Sequence, residues 1–359
     1  LRNDEHKAER DAQTTFMGLI RNAVAALSPY SPGEQPRVPG LIKLNTNENP
    51  YPPSPRVADA LRALAAERLR LYPDPLCLDL RRTIAELHRC EIENVFAGNG
   101  ADEVLALCTR AFVEPGGVIA WVDPSYSLYP VLAAIVDARS VAVPSNEDFS
   151  LPLTTALPNP ISLFFLTTPN APTGIAYPRP AVEDLCAACS GVVVLDEAYV
   201  DFAPHHFMDL ALSRPNVIVA RSLSKSYSLA GLRIGYAVGP EPLIEALHKI
   251  KDSYNLDAIA QVAGIAALSD QQWMRDNTAR IVATRERMAA ALRARGWRVM
   301  PSATNFIFAS PPDGDARSAF IKLRAANILV RHFPGPRTEA YLRISIGDDA
   351  QMDALLSAL

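Results

Sequence analysis

The chain has 359 residues, 49% of them hydrophobic and 21% charged, and its 35 Lys+Arg against 39 Asp+Glu leave a formal net charge of −4. This composition excludes collagen-like, coiled-coil and disordered chains, and the length suggests about two domains, each able to bury a core. No apolar run reaches the ~18–20 residues of a membrane span and residues 1–10 are charged, so a soluble cytoplasmic protein, neither membrane-bound nor secreted, is the expectation.

No Lys/Arg cluster offers a footprint for nucleic acid, and five Cys are too few for a disulfide framework, so reduced thiols are expected. In chain order, residues 1–15 carry no readable signal. Residues 16–51 hold Pro-rich loops and one short helix, so the stretch 1–50 reads as an arm that packs on other parts rather than folding alone. From 51 to 250, short β-branched runs at 118–122, 161–167, 192–195, 217–220 and 234–238 alternate with helix-like segments. Nearly continuous apolar runs of this length read as strands buried on both faces, with helices as crossovers. That is an α/β domain with a mostly parallel sheet. Cys186 and Cys189 have CxxC spacing, but they lie in the helix-like run 181–189 and no second pair completes a metal site, so packing outweighs zinc or redox work. No metal is expected. From 251 to 359 a long Arg/Ala-rich helix at 278–295 precedes a strand at 305–309, a helix at 316–326, strands at 328–332 and 341–346, and a helix from Asp348. This reads as a smaller α+β domain.

The chemistry concentrates at the ends of the buried strands, where α/β sheets present ligand sites. In Arg221-Ser222-Leu223-Ser224-Lys225-Ser226 a lysine follows a strand directly, framed by hydroxyls, with Arg233 eight residues on. A lysine at a strand exit is by itself an ordinary surface residue. A semi-buried amine beside a cation, however, has a depressed pKa and becomes a nucleophile, and hydroxyls with a forked guanidinium suit a phosphate dianion. Together they describe an anchor for pyridoxal phosphate.

Leu195-Asp196-Glu197-Ala198-Tyr199 ends the most apolar strand. A carboxylate there is costly without a cationic partner, and a protonated pyridine nitrogen is one. Tyr199, three residues on, is placed to reach the ring hydroxyl; a loop-capping or metal-binding Asp-Glu pair is the competing explanation. Gly98-Asn99-Gly100-Ala101-Asp102-Glu103 turns from a strand into a helix whose first N–H groups suit phosphate, a weak signal alone. Asp123-Pro124-Ser125-Tyr126 puts an aromatic ring at another strand end, where it is either core or stacked on a cofactor.

With these residues in view, the sequence resembles the fold-type I pyridoxal-phosphate aminotransferases, and within them the histidinol-phosphate aminotransferase branch. The resemblance runs from about Leu27 and rests on Lys43-Leu44-Asn45-Thr46-Asn47-Glu48-Asn49-Pro50-Tyr51-Pro52, Tyr72-Pro73, Gly100-Ala101-Asp102-Glu103, Ser222-Leu223-Ser224-Lys225 and Leu342-Arg343-Ile344. It implies Lys225 as the lysine that holds the cofactor and shuttles the proton, Asp196 on the pyridine nitrogen and Tyr199 near the ring hydroxyl. It implies Tyr126 stacked on the ring and Ala101, Asp102, Ser222, Ser224 and Arg233 around the phosphate. Tyr72 is implied to reach the cofactor phosphate of a neighbouring subunit in a homodimer with shared active sites, with the arm 1–50 packing on the small domain and that partner. Arg343 is implied to grip a substrate carboxylate or phosphate, with Arg331 as the second contact. Tyr30, Asn47, Glu48, Tyr254 and Asn255 are implied as pocket walls. The implied reaction is transamination of L-histidinol phosphate, a phosphorylated amino alcohol, with 2-oxoglutarate. Threonine-phosphate decarboxylation, an aromatic aminotransferase and a non-catalytic cofactor-binding protein are the alternatives on the same fold.

One position departs from the family pattern. Where the family reads Pro-Asn-Asn-Pro-Thr-Gly, this chain has Pro169-Asn170-Ala171-Pro172-Thr173-Gly174, so Ala171 cannot supply a hydrogen bond to the ring hydroxyl. Either Asn170 or Tyr199 covers that role, or the cofactor–lysine absorbance titrates at a different pH.

Overall fold

In the computed structural model, which describes residues 19–27, 33–36, 38–157 and 159–359, the apolar runs are strands of one seven-stranded sheet. The strands in chain order are β1 (Ile42–Lys43), β2 (Val95–Asn99), β3 (Val118–Asp123), β4 (Arg139–Pro144), β5 (Leu163–Thr167), β6 (Val192–Asp196), β7 (Val217–Ser222) and β8 (Ile234–Val238). The smaller sheets take β9 (Arg298–Val299), β10 (Phe306–Ser310), β11 (Ile328–Leu329), β12 (Arg331–His332) and β13 (Leu342–Ser345). The large sheet has the order β2-β8-β7-β6-β5-β3-β4. Neighbours from β7 to β4 are parallel, whereas β8 is antiparallel to both β2 and β7.

Period-two alternation sends the side chains of each strand to two faces, and both faces are covered. Val193, Leu195, Val217 and Val219 meet Leu80, Ile84, Val182 and Leu185 of helices Leu78–His88 and Arg179–Ala188. Val194, Ile218 and Ala220 meet Val104, Leu105 and Leu247 of helices Gly100–Phe112 and Glu241–Ile250. The edge strand β4 escapes the reading of apolar runs because four of its six residues are exposed.

The second core forms around the antiparallel sheet β12-β13-β10-β9, where Phe306, Leu342 and Ile344 pack on Ile281, Met288, Leu323 and Met352. The change of texture at residue 250 does not coincide with the change of core. Helix Ala258–Leu268 buries Ala260, Ala263 and Ala267 in the core of the large sheet, and within helix Gln271–Ala294 Met274 still belongs there while Ile281 belongs to the second core. The long helix starts seven residues before the expected 278 because Asp270 caps it, accepting from the Trp273 N–H. The single strand expected at 328–332 is two: β11 pairs in parallel with β1 of the N-terminal segment, while β12 pairs with β13. That break delivers Asn45 to Asn49 to the seam between the two cores.

Candidate active site

Lys225 leaves β7 into a turn that the N-terminal segment clamps. The Asn49 amide donates to the carbonyls of Lys225 at 3.0 Å and Ser226 at 3.2 Å, and the Lys225 Nζ donates to the Thr46 carbonyl at 3.2 Å. Burial, then the Arg343 cation, push the amine down to about 8; Glu48 opposes them and Arg233 adds to them. At pH 7 roughly a tenth of this amine is therefore unprotonated, far more than of an ordinary lysine, and able to attack a carbonyl carbon.

Asp196 ends β6 and is 4% exposed. The Tyr129 hydroxyl donates to its Oδ2 at 3.0 Å and the Ala198 N–H to its Oδ1 at 3.2 Å. Burial pushes the carboxyl up to about 6 against those two donors, and Asp102 and Glu197 push the same way as burial. The neighbouring Glu197 has a different task, since it forms a buried ion pair with Arg221 at 2.8 Å. Tyr199 follows, with the Lys225 amine 5.9 Å from its ring centroid and the Asn47 amide donating to its hydroxyl at 2.9 Å. Asn47 holds a left-handed φ of 56° and is fixed by Ser345 and Asn305. A residue 152 positions away is thus aimed at Tyr199.

The third group surrounds the start of helix Gly100–Phe112. An added Cβ at Gly100 would stand 2.7 Å from the Arg233 guanidinium, and one at Gly235 only 2.4 Å from the Ala101 nitrogen. Glycine at both positions lets strand, helix start and guanidinium close on one point. Arg233, itself at a left-handed φ of 51°, pairs with the Asp102 carboxylate at 3.0 Å and reaches Ser224 Oγ at 3.4 Å. The Ser224 N–H donates to Ser222 Oγ at 3.1 Å, and the Tyr126 hydroxyl donates to Asp102 at 3.1 Å. Helix-start N–H groups, two hydroxyls and a guanidinium converge here as a phosphate dianion requires. With an acid beyond them and a nucleophilic amine beside them, the residues present fit pyridoxal phosphate.

Arg331 and Arg343 stand directly opposite each other on β12 and β13, so their side chains share one face, and both lie over the Phe333 ring at 5.5 and 5.3 Å. Arg343 also donates to the Asn45 carbonyl at 2.8 Å. Glu48 binds Lys43 at 2.6 Å and Thr46 at 2.9 Å. Burial opposes ionisation of Glu48, but those bonds and the nearby Lys225 charge leave the carboxyl below its ordinary range.

Other expected site residues are placed differently. Asn255 does not face a pocket: its amide donates to the Ala97 carbonyl and Glu103, bracing the turn that precedes the helix. Of the two residues expected to cover the ring-hydroxyl bond that Ala171 lacks, Asn170 has its amide committed to the Pro124 carbonyl and Thr173, with its oxygen 3.3 Å from Ser125 Oγ, while the Tyr199 hydroxyl accepts from Asn47 and keeps its own proton to donate. Tyr254 and Tyr72 stack on each other at 4.3 Å, with Tyr72 79% exposed. Tyr30 lies outside the described residues. Sequence reading missed Tyr129, Thr167, Asn49 and Phe333, which have no chemistry of their own until the fold sets them beside Asp196, Lys225 and the arginines.

The family model for aminotransferase class I and II matches residues 39–359. Histidinol-phosphate aminotransferase 2 of Thiobacillus denitrificans is 46% identical over 341 residues, covering 94% of this chain and 95% of that protein. The histidinol-phosphate aminotransferase of Geobacter sulfurreducens is 46% identical, covering 95% of this chain and 98% of its own. Among solved structures, the Sinorhizobium meliloti histidinol-phosphate aminotransferase in complex with pyridoxal-5'-phosphate superposes with a TM-score of 0.86 at 29% identity, covering 95% of this chain and 96% of that one. The chain belongs to the class I and II aminotransferases and, through these relatives, to their histidinol-phosphate aminotransferase family.

Proposed function

We propose that this chain transfers the amino group of L-histidinol phosphate to 2-oxoglutarate, yielding imidazole-acetol phosphate and glutamate in histidine biosynthesis, with pyridoxal phosphate as cofactor. The observation that carries the reading is the Arg331–Arg343 pair on one face, near enough to Lys225 for the Arg343 charge to depress its amine. Two guanidiniums on one face attract a dianion, and each substrate brings such charge: one a phosphate monoester, the other two carboxylates.

When bound, the cofactor supplies an aromatic electron sink for the pair released at the substrate α-carbon. The Lys225 amine would hold the cofactor and, when free, would take and return the proton of the substrate α-carbon. Asp196 would keep a proton on the pyridine nitrogen, Tyr199 with Asn47 would orient the ring hydroxyl, and Tyr126 would stack on the ring. Backbone N–H groups of Ala101 and Asp102, with Ser222, Ser224 and Arg233, hold the cofactor phosphate. The Asp102 carboxylate faces Arg233 and orients it. Arg343 and Arg331 bind the substrate's anionic group, and Glu48 lines the wall near Lys225.

A homodimer completes the reading. Tyr72, Leu69, Leu71, Leu76 and Tyr254 are all exposed, an apolar surface suited to a partner copy, whose cofactor phosphate Tyr72 would reach. The reading also carries a cytoplasmic location with it, and among the described residues no helix is long and apolar enough to cross a membrane.

An absorbance spectrum of the protein with pyridoxal phosphate, before and after L-histidinol phosphate, tests the reaction. The expected result is loss of the cofactor–lysine band and its return on adding 2-oxoglutarate, the two halves of a ping-pong cycle. A band that ignores histidinol phosphate, or carbon dioxide released from threonine phosphate, would overturn it.

A further inference from the structure

The Asp196 carboxylate lies at the end of a hydrogen-bond chain whose inner members are buried. Tyr129 Oη is 3.0 Å from Asp196 Oδ2 and 2.5 Å from Thr167 Oγ1, and Thr167 Oγ1 is 3.1 Å from Ser125 Oγ. Tyr129 and Thr167 are 0% and 2% exposed, and the Tyr129 ring is fixed by stacking on Phe165 at 4.6 Å. Counting protons gives the chain a direction. An ionised carboxylate only accepts, so the single Tyr129 proton points to Asp196. The Tyr129 oxygen then accepts from Thr167, while the one Ser125 proton is divided between Thr167 Oγ1 at 3.1 Å and Asn170 Oδ1 at 3.3 Å. The Tyr129 and Thr167 hydroxyls thus both donate toward the same carboxylate.

We propose that Tyr129, backed by Thr167, is a positioning residue that keeps Asp196 ionised and aimed for the cofactor's pyridine nitrogen. This rests on the pyridoxal-phosphate reading above. Aligned hydroxyls in a dry interior polarise one another, so the Tyr129 bond is stronger than an isolated phenol–carboxylate contact. A buried carboxylate with one donor removed would protonate more readily and lose its hold on the ring nitrogen. The other ionisable groups around the chain are Asp102 and Glu197, which favour protonation of Asp196, and the phenols of Tyr199 and Tyr126. Burial and the Asp196 charge raise the Tyr129 phenol far above its ordinary range, so it remains a donor at working pH.

The test compares pyridoxal-phosphate affinity across pH, read from cofactor absorbance and protein fluorescence, in the wild type and in Tyr129→Phe, which keeps the stacked ring. The expected result is binding about ten- to a hundredfold weaker, the range for a lost hydrogen bond to a charged group. The acid limb of the profile should move to higher pH, because a carboxyl with fewer donors takes up its proton sooner. Thr167→Val should move both readouts the same way by less, and Thr167→Ser should restore the wild-type profile. In an Asp196→Asn background Tyr129→Phe should add little. Wild-type affinity with an unmoved acid limb in Tyr129→Phe would overturn the proposal, as would an effect of equal size in the Asp196→Asn background. If Tyr129→Phe does not fold, the Thr167→Val and Thr167→Ser pair decides alone. A wild type that binds pyridoxal phosphate yet ignores histidinol phosphate breaks the substrate reading and leaves this test intact.

Discussion

The pocket has two walls built on different principles. On the large-sheet side, Asp196, Tyr199, Ser224 and Lys225 stand at or just beyond the ends of parallel strands. There a buried charge is met by nearby donors, as when Tyr129 at the start of helix Tyr129–Ile135 and the Ala198 N–H just past the strand both point at Asp196. On the small-sheet side the wall is two like charges, Arg331 and Arg343, aligned across an antiparallel pair and lying over Phe333. The first wall sets donors of the protein on its buried charges, whereas the second gathers two cations on one face. Rigid capture of a permanent cofactor calls for the former, and exchange of two unlike substrates calls for the latter.

The sharpest way to break this division of labour is at the amine that joins the two walls. Lys225→Ala should lower kcat by at least ~10²–10⁴-fold, the usual contribution of a positioned acid–base group, while leaving the circular dichroism spectrum unchanged. A variant that keeps its rate would remove the proposed mechanism.

The second wall should respond differently. Arg343→Leu and Arg331→Leu should each raise KM for histidinol phosphate by roughly 10–100-fold, the worth of a charge-assisted bond, with far less loss of cofactor affinity. Steady-state kinetics alongside a cofactor titration would separate the two, and equal losses in both would erase the distinction between the walls.

The smallest expected effect is electrostatic and crosses from one wall to the other. Because the Lys225 amine lies at about 8, cofactor incorporation into the apoprotein should rise with pH through about that value, as the ammonium gives up its proton. Removing the Arg343 cation makes that ammonium easier to keep, so in Arg343→Leu the midpoint should shift upward by a fraction of a pH unit. Burial is the larger cause and stays, so the shift is only partial. Stopped-flow absorbance against pH measures it, and an unmoved midpoint would show that the walls are electrostatically separate.

How far the site could be read in advance differs between the walls for the same reason. The motif Ser222-Leu223-Ser224-Lys225 and the strand end Leu195-Asp196 are local, and a strand buried on both faces announces itself by unbroken apolar residues. Tyr129 looked like any core aromatic, and Asn170 looked free to act until its amide proved committed to Pro124 and Thr173. Asn255 looked like a pocket wall and instead braces a turn.

The sequence by itself determined the α/β class, the strand-end positions of Lys225 and Asp196, and the glycine turn at Gly98-Asn99-Gly100, because backbone periodicity and local turn chemistry act over a few residues. Tertiary structure alone decided that Asn47 meets Tyr199, that Asn49 clamps Lys225, that Tyr129 points its proton at Asp196, and that the second core begins within the long helix rather than at residue 250. Those contacts join segments far apart in the chain, and no local propensity records them. They exist because β1 pairs with β11 and each buried polar group must find a partner once water is gone.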